Sequence, residues 1–121
     1  MLIGLAGATP ASAYELYAHC NTTGASGGVT VWDFYGATDR IDLSMSVDDM
    51  KSDSHHVSIR LLTKNHAGTV KYWSWHKNTS GNGTSKRWET YAKDDSGIFD
   101  VGIQVGRFEG STMLNSCTDW S

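Results

Sequence analysis

The chain has 121 residues, of which 39% are hydrophobic and 19% are charged, and its net charge at pH 7 is -3. This length is sufficient for one domain with one hydrophobic core, and the net negative charge argues against a nucleic-acid partner. Beyond the N-terminal segment, no apolar run is long enough to span a bilayer, so the sequence predicts no membrane anchor.

The first 13 residues carry no charge and end in the small residues Ala11, Ser12 and Ala13. An apolar run followed by small residues is typical of the end of a secretory signal peptide, here with cleavage before Tyr14. We therefore predict that residues 1–13 are a signal-peptide remnant and that residues 14–121 form one secreted, extracellular domain. A disordered or buried N-terminal arm is the alternative, because the usual positively charged start is missing.

Two cysteines, Cys20 and Cys117, lie near the two ends of the predicted mature segment. In an oxidising compartment they predict one disulfide that joins the first strand to the last. The alternative is two unrelated buried thiols. Neither their spacing nor their neighbours predict a cysteine-bound metal, and we predict no cofactor.

Alternation of apolar and polar residues indicates that the chain is built from strands. The alternation is regular over residues 41–47, 57–61 and 99–105, and further strands are predicted over residues 14–20, 29–35, 70–76, 85–91 and 113–117. Turn-forming clusters separate them at residues 21–28, 36–39, 48–54, 65–68, 78–83 and 93–97. No window shows sustained helical periodicity. The pattern predicts an all-β fold, a single antiparallel β-sandwich with jelly-roll or immunoglobulin-like topology.

Charge is divided unevenly along the chain. Residues 14–59 carry -5, residues 60–93 carry +6 and residues 94–121 carry -4. The basic block contains the run KYWSWHK (residues 71–77) and the strand at residues 85–91, which we predict to pair as a hairpin. This pairing would form one binding surface from three tryptophans and four cations: Trp73, Trp75, Trp88, Lys71, Lys77, Lys86 and Arg87. A solvated hairpin with incidental lysines is the alternative.

On a regular strand, Trp73 and Trp75 would share one face with Lys71 and Lys77. Because two tryptophans flanked by lysines on the same face are not easily buried together, we expect at least one of the pair to be exposed. Exposed aromatic rings beside charges are used both by protein interfaces and by sugar-binding platforms.

Two glycines inside a predicted strand, Gly102 and Gly106, share a face with Gln104. Glycine within a strand often marks the close approach of a ring or of another backbone. We expect a tryptophan from a neighbouring strand to lie across them; the alternative is that a bound peptide or sugar does so.

No catalytic or metal site is predicted. The run Gly24-Ala-Ser26-Gly-Gly28 resembles the serine-protease signature, with alanine at its aspartate position. However, the chain is too short for a two-barrel protease, and Gly28 leads into a strand instead of the helix that a nucleophile elbow requires. His55 and His56 are adjacent and would point to opposite faces. The acidic groups at residues 48–53 and 94–100 could hold Ca²⁺, but neither follows a calcium-loop pattern.

A strand-rich chain of this size, with Cys20 early and Cys117-Thr-Asp-Trp120 at the end, resembles small exported proteins of soil actinobacteria. Within that class it is similar to the small adaptor subunit of the umbrella toxins, which are secreted antibacterial particles. The resemblance implies a β-rich subunit that does no chemistry and joins a lectin-bearing, protease-like subunit to a large toxin-bearing subunit. No motif transfers residue by residue, so no site residue is carried over.

The sequence thus predicts a secreted, non-catalytic binding module, namely a protein-recognition adaptor subunit of an extracellular complex such as an antibacterial toxin particle. Its partner would be a secreted protein. One alternative is a carbohydrate or cell-wall-binding module, in which the tryptophans stack on sugar rings and the lysines contact an anionic cell-wall polysaccharide. A second alternative is an inhibitor of a secreted enzyme.

Overall fold

The structure is a computed structural model that describes residues 14–121, and the predicted signal-peptide remnant lies outside them. The described residues form nine strands and contain no helix, hence none that could cross a membrane. The strands are β1 (Tyr14–Thr22), β2 (Ala25–Phe34), β3 (Ile41–Asp49), β4 (His56–Lys64), β5 (Val70–Tyr72), β6 (His76–Asn78), β7 (Ser85–Ala92), β8 (Asp100–Glu109) and β9 (Thr112–Trp120).

The strands form two antiparallel sheets that pack face to face, which confirms the predicted β-sandwich. The first sheet has the order β1-β2-β3-β7. The second has the order β9-β8-β4, and both β5 and β6 pair with the free side of β4. The order of the second sheet is that of the G, F, C and C′ strands of an immunoglobulin-type sandwich, whereas the first sheet joins three consecutive strands, β1, β2 and β3, to β7.

Regular alternation explains why these segments bury one face. In each central strand every second side chain points between the sheets, where apolar residues exclude water. The fully buried aliphatic side chains come from both sheets and include Val31, Leu43, Val47, Val57, Ile59, Val101, Ile103 and Val105.

One side of the sandwich is closed by the predicted disulfide. Cys20 on β1 and Cys117 on β9 are bonded, and their Cα atoms lie 6.1 Å apart. The backbone N–H of His19 donates to Asp119 Oδ2 over 3.0 Å, and Asn115 Nδ2 donates to Thr22 Oγ1 over 2.9 Å. Together these bonds tie the edge strand of one sheet to the edge strand of the other.

The predicted turn over residues 21–28 is wrong in most of its length. Only Thr23 and Gly24 form the turn, with Gly24 at a φ of 78°, and β2 begins at Ala25. The glycines that indicated a turn are needed inside the strand. A Cβ atom at Gly27 would lie 2.8 Å from Val105 Cγ2 in the facing sheet, so only glycine fits between the sheets there.

The predicted hairpin between residues 71–77 and 85–91 is also wrong. The first segment pairs with β4, where Tyr72 lies opposite Leu62, whereas β7 pairs with β3, where Trp88 lies opposite Met45. The chain crosses from one sheet to the other after Asn78. This fully buried asparagine stabilises the crossing, because its Nδ2 donates to the backbone oxygen of Thr84 over 3.1 Å.

The predicted strand over residues 70–76 is interrupted. Residues 73–75 separate β5 from β6, although the backbone N–H of Trp73 still donates to the backbone oxygen of Leu61 over 3.0 Å. A bulge of this kind changes which face each following side chain occupies, and it protects an edge strand from pairing with another chain. As a result Trp73 packs towards the core, while Trp75 contacts side chains on the outer face of the second sheet. The expectation that the two tryptophans share a face is therefore wrong. The expectation that at least one of them is exposed is also wrong, because both Trp73 and Trp75 are half-buried.

Candidate functional site

The most organised surface group is Arg60, whose guanidinium lies between two aromatic rings. Its Cζ is 4.5 Å from the ring centroid of Tyr72 and 4.3 Å from that of Trp75. Its Nε donates to Gln104 Oε1 over 2.8 Å. Two cation–aromatic contacts and one hydrogen bond hold the side chain in a single orientation, and the two terminal nitrogens can still donate to a bound anion.

Strand register explains how these residues meet. On β4, Val57, Ile59 and Leu61 point into the core, so Arg60 points outward between them. Gln104 lies opposite Arg60 on β8. Tyr72 reaches Arg60 from β5, and the bulge at residues 73–75 brings Trp75 to its other side.

Trp75 extends the surface towards a shallow depression. Its ring meets the ring of Phe108 edge-on, with the centroids 5.1 Å apart, and Phe108 stacks on His56 at 5.2 Å. Together with Lys77, these rings border a depression of about 180 Å³. Burial and the neighbouring charge of Lys77 both lower the pKa of His56, so the ring is neutral at pH 7.

Both strand glycines are covered by rings, but only Gly102 is covered by a tryptophan from a neighbouring strand. A Cβ atom at Gly102 would lie 2.7 Å from Trp120 Cε3, and one at Gly106 would lie 2.8 Å from Phe108 Cε1. The prediction that a tryptophan crosses Gly102 is confirmed, and the glycines therefore give the outer sheet surface its aromatic cover. We call the surface formed by Arg60, Tyr72, Trp75, Phe108 and Trp120 the Arg60 face.

The Arg60 face is cationic. Lys64 Nζ lies 4.2 Å from the ring centroid of Trp120, and Lys77 lies beside Trp75. Within residues 14–121, no carboxylate lies within ion-pair distance of Arg60, Lys64 or Lys77. Burial lowers the pKa of Arg60, with Tyr72 acting in the opposite sense, yet an arginine remains protonated in proteins.

The predicted site residues divide between separate surfaces. Trp75 and Lys77 belong to or border the Arg60 face. Trp73 is half-buried against the core and donates from Nε1 to Thr63 Oγ1 over 3.0 Å, with Lys71 Nζ 4.2 Å from its ring centroid. Lys71 in turn pairs with Asp94 at 3.7 Å.

The remaining predicted residues lie on β7, in the other sheet. Trp88 faces the core, is half-buried, and packs on His76 with the ring centroids 5.0 Å apart. Lys86 and Arg87 are exposed, and Arg87 pairs with Glu89 at 3.2 Å. The structure thus places Trp88 and Trp73 in the side of the sandwich opposite the disulfide, where both contribute to the core.

Ser26 has a histidine neighbour that the sequence did not indicate. Its Oγ lies 3.3 Å from His19 Nε2, but it donates its proton to Asn21 Oδ1 over 2.5 Å. A serine nucleophile must instead give its proton to the base, and the base needs an orienting partner. Ser26 also lies on a regular strand, so its backbone N–H is not set in an oxyanion-hole turn. This geometry does not make a competent catalytic pair.

The acidic segments are used within the fold. Asp53 pairs with Arg107 at 3.1 Å, and Asp94 accepts a hydrogen bond from the backbone N–H of Ser96 over 2.9 Å. Burial acts to raise the pKa of Asp53, but hydrogen bonds from the His55 backbone N–H and from Arg107 outweigh it and hold the pKa below 3.8. Within residues 14–121, no three His, Cys, Asp or Glu side chains are gathered as metal ligands.

Sequence reasoning missed Arg60, Tyr72, Phe108 and Trp120 as a group. Two signals were present: the basic block begins at Arg60, and alternation on β4 places that residue outward. No local pattern indicated that Tyr72 and Trp75 lie on the same outer face of the second sheet, because this depends on the bulge at residues 73–75.

Comparisons with protein-family models and with curated proteins gave no match, so the Arg60 face has to be interpreted from its own chemistry.

Proposed function

We propose that this protein is a secreted, non-catalytic binding module that recognises an acidic surface on a protein partner through the Arg60 face. In this role it serves as an adaptor subunit of an extracellular complex, such as an antibacterial toxin particle. The observation that carries the proposal is Arg60 itself. This cation is held between Tyr72 and Trp75, and it has no carboxylate partner within residues 14–121.

The composition of the Arg60 face supports protein recognition. Tryptophan, tyrosine and arginine are the residues most enriched among those that dominate binding energy at protein interfaces. Tyr72 is 57% exposed although it lies on the sheet, and Met113, which lies opposite Phe108 on β9, is 42% exposed. Because Arg60 is already ordered, little side-chain entropy is lost when a partner carboxylate binds it.

Two further observations support the rest of the proposal. Cys20 and Cys117 form a disulfide. Disulfides persist in oxidising compartments and are rare in the cytosol, so this bond supports export. The hydrogen bond from Ser26 to Asn21 supports a role without covalent chemistry, because that serine proton is directed away from His19.

The test is a pull-down from the culture medium of the producing cells with the tagged, disulfide-bonded protein. We expect stoichiometric recovery of one protein, reduced at least tenfold by Arg60→Glu, because reversing a charge at the centre of an interface introduces repulsion. Recovery is also expected to fall with added salt, as for any partner steered by charge. Arg87→Glu is the matched control, since Arg87 lies on the other sheet and already neighbours Glu89.

The alternatives give distinguishable outcomes. Retention on washed cell wall or polysaccharide, lost in Trp75→Ala and without a protein partner, would instead indicate the carbohydrate-binding module. Recovery of an enzyme whose activity falls on binding would indicate the inhibitor. Equal recovery of the same protein by the parent and by Arg60→Glu would show that the Arg60 face is not the binding surface.

A further inference from the structure

The outer face of the first sheet carries a depression that the Arg60 face does not share. Small residues form its floor on the central strands: Gly28 and Thr30 on β2, and Ser44 and Ser46 on β3. Larger side chains stand on the outer strands, with Tyr17 and His19 on β1 and Arg87 on β7. The depression encloses about 280 Å³. We call it the serine trough.

Strand register aligns these residues in two rows across the sheet. His19, Gly28, Ser46 and Arg87 form one row, and Tyr17, Thr30, Ser44 and Glu89 form the next. The floor is therefore low because the central strands carry glycine, serine and threonine at successive outward positions, while the outer strands carry rings and long side chains.

The floor presents three hydroxyl groups, from Thr30, Ser44 and Ser46. Within residues 14–121, none of them hydrogen-bonds another side chain or a backbone group, and none is sealed from solvent. A hydroxyl both donates and accepts, so it matches the alternating donors and acceptors of a polyol. The hydroxyls of Thr30, Ser44 and Ser46 lie on adjacent strands, so they can hydrogen-bond several hydroxyl groups of one sugar ring.

Tyr17 provides an apolar wall above this floor. It is 60% exposed, and its hydroxyl donates to Glu15 Oε1, which restrains the ring. That hydrogen bond, with smaller contributions from burial and from the charge of Glu15, raises the pKa of Tyr17, so the hydroxyl stays protonated at pH 7. An aromatic face with polar groups at its edge can take the apolar C–H face of a sugar ring.

Charge around the serine trough favours a neutral ligand. Arg87, the cation at its rim, is paired with Glu89 at 3.2 Å. Glu15 and Asp48 lie on the same outer face, so an added anion would meet carboxylates. The volume is just below the lower limit of about 300 Å³ for sites that hold drug-sized ligands, and this suits one monosaccharide unit. From these observations we infer that the serine trough binds one neutral sugar residue of a saccharide. The inference does not depend on the function proposed for the Arg60 face.

The test is a titration of the isotope-labelled protein followed by amide NMR shifts. The probes are the methyl glycosides of glucose, galactose, mannose and N-acetylglucosamine and their disaccharides. We expect saturable shifts at Gly28, Thr30 and Ser46 with at least one neutral sugar. Thr30→Val and Ser46→Ala are each expected to weaken binding roughly three- to tenfold, as for the loss of one hydrogen bond.

Matched variants keep the test independent of folding. Tyr17→Phe retains the ring and is expected to bind, whereas Tyr17→Ala is expected to lose saturable binding; shifts of core amides report that each variant is folded. Thr118→Val makes the same change as Thr30→Val on the other sheet and should leave the affinity unchanged.

Three outcomes would overturn the inference. The first is the absence of saturable shifts at these amides across the sugar panel. The second is tighter binding of glucuronate than of any neutral sugar. The third is that an extended Ala-Ser-Thr peptide shifts the same amides while the sugars do not, which would make the serine trough a peptide groove.

Discussion

Trp73 Nε1 donates a hydrogen bond of 3.0 Å to Thr63 Oγ1 inside the sandwich, where Thr63 is almost fully buried. This bond connects the interrupted edge of the second sheet to β4. It also gives the polar atom of a half-buried indole a partner, which buried tryptophans generally require. Trp73 is therefore a structural residue, whereas Trp75, two positions later, lies on the Arg60 face.

We expect the two tryptophans to respond differently to truncation. Trp73→Ala should lower the free energy of unfolding by about 3 kcal/mol, the lower end of the range for large aromatic side chains, because Trp73 is only half-buried. Trp75→Ala should lower it by less than about 1.5 kcal/mol and should mainly affect binding. Urea unfolding of each variant measures both values. Equal losses would show that the two rings do not lie in different environments.

Removing only the acceptor tests the hydrogen bond itself. Thr63→Val keeps the shape of the side chain and leaves the indole N–H of Trp73 without its partner. An unsatisfied, partly buried donor costs about 1 to 3 kcal/mol. In the background of Trp73→Ala the same change should cost less, because that donor is already gone. A double-mutant cycle by urea unfolding gives the coupling, and a coupling of zero would contradict the bond.

Gly102 should not tolerate a side chain. A Cβ atom there would lie 2.6 Å from the backbone oxygen of Asp119 and 2.7 Å from Trp120 Cε3, both closer than Cβ atoms are found in proteins. Gly102→Ala is expected to destabilise the fold by about 1 to 3 kcal/mol, as for an overpacked site. Trp120→Ala should restore only part of this loss, because the clash with the backbone remains. Thermal unfolding of the two single variants and the double variant tests this, and an unaltered melting temperature in Gly102→Ala would contradict it.

The disulfide should contribute substantially to stability, because it joins residues 97 positions apart. In the chain-entropy description a loop of about 100 residues corresponds to about 4.7 kcal/mol, and native disulfides of small secreted domains typically contribute about 2 to 5 kcal/mol. The Cys20→Ser/Cys117→Ser variant should therefore unfold at much lower urea concentration than the parent. Reduction of the parent should shift its transition to that of the variant, whereas a transition unaffected by reductant would argue against this role.

Stability should also depend on pH through His76. Burial lowers its pKa below 6.5, so the folded protein binds this proton less readily than the unfolded chain does. The free energy of unfolding therefore rises with pH between the folded pKa and about 6.5, and this contribution is lost as the pH falls below 6.5.

The variant His76→Gln should show a smaller decrease in stability between pH 7 and pH 5 than the parent. Some decrease should remain, because the pKa of His56 is lowered by burial and by Lys77 and acts in the same direction. His66→Gln is the control, since His66 lies on an exposed turn. Urea midpoints measured across this pH range provide the comparison, and identical profiles for His76→Gln and the parent would contradict the assignment.

Much of the fold could be predicted because its signals are local. Alternation over residues 41–47 and 57–61 identified the centres of β3 and β4 and the side chains that enter the core. The two cysteines predicted the crosslink, and the glycine spacing predicted a ring across Gly102. Each of these features follows from backbone geometry or from covalent chemistry, and both can be predicted from the residue types in a short stretch of sequence.

The candidate site could be predicted only in part. Its basic and aromatic composition was visible from residues 60–93, but the surface that combines Arg60 with Tyr72 and Trp75 was not. A single extra residue in an edge strand reverses the facing of every side chain after it. Whether residues 73–75 stay in register is decided by the side chains that they meet, and here Thr63 holds Trp73 on the core side.

By itself, the sequence determined that the chain forms two-faced strands, which side of β3 and β4 is apolar, and that Cys20 and Cys117 can be joined. Only the tertiary structure decided that β7 pairs with β3 and not with β5 and β6. The physical reason is that backbone ladders are alike for every strand, so alternation shows that a strand has a buried face without specifying its neighbour. That choice depends on how both sheets fill one core, and it separated Trp88 from Trp75.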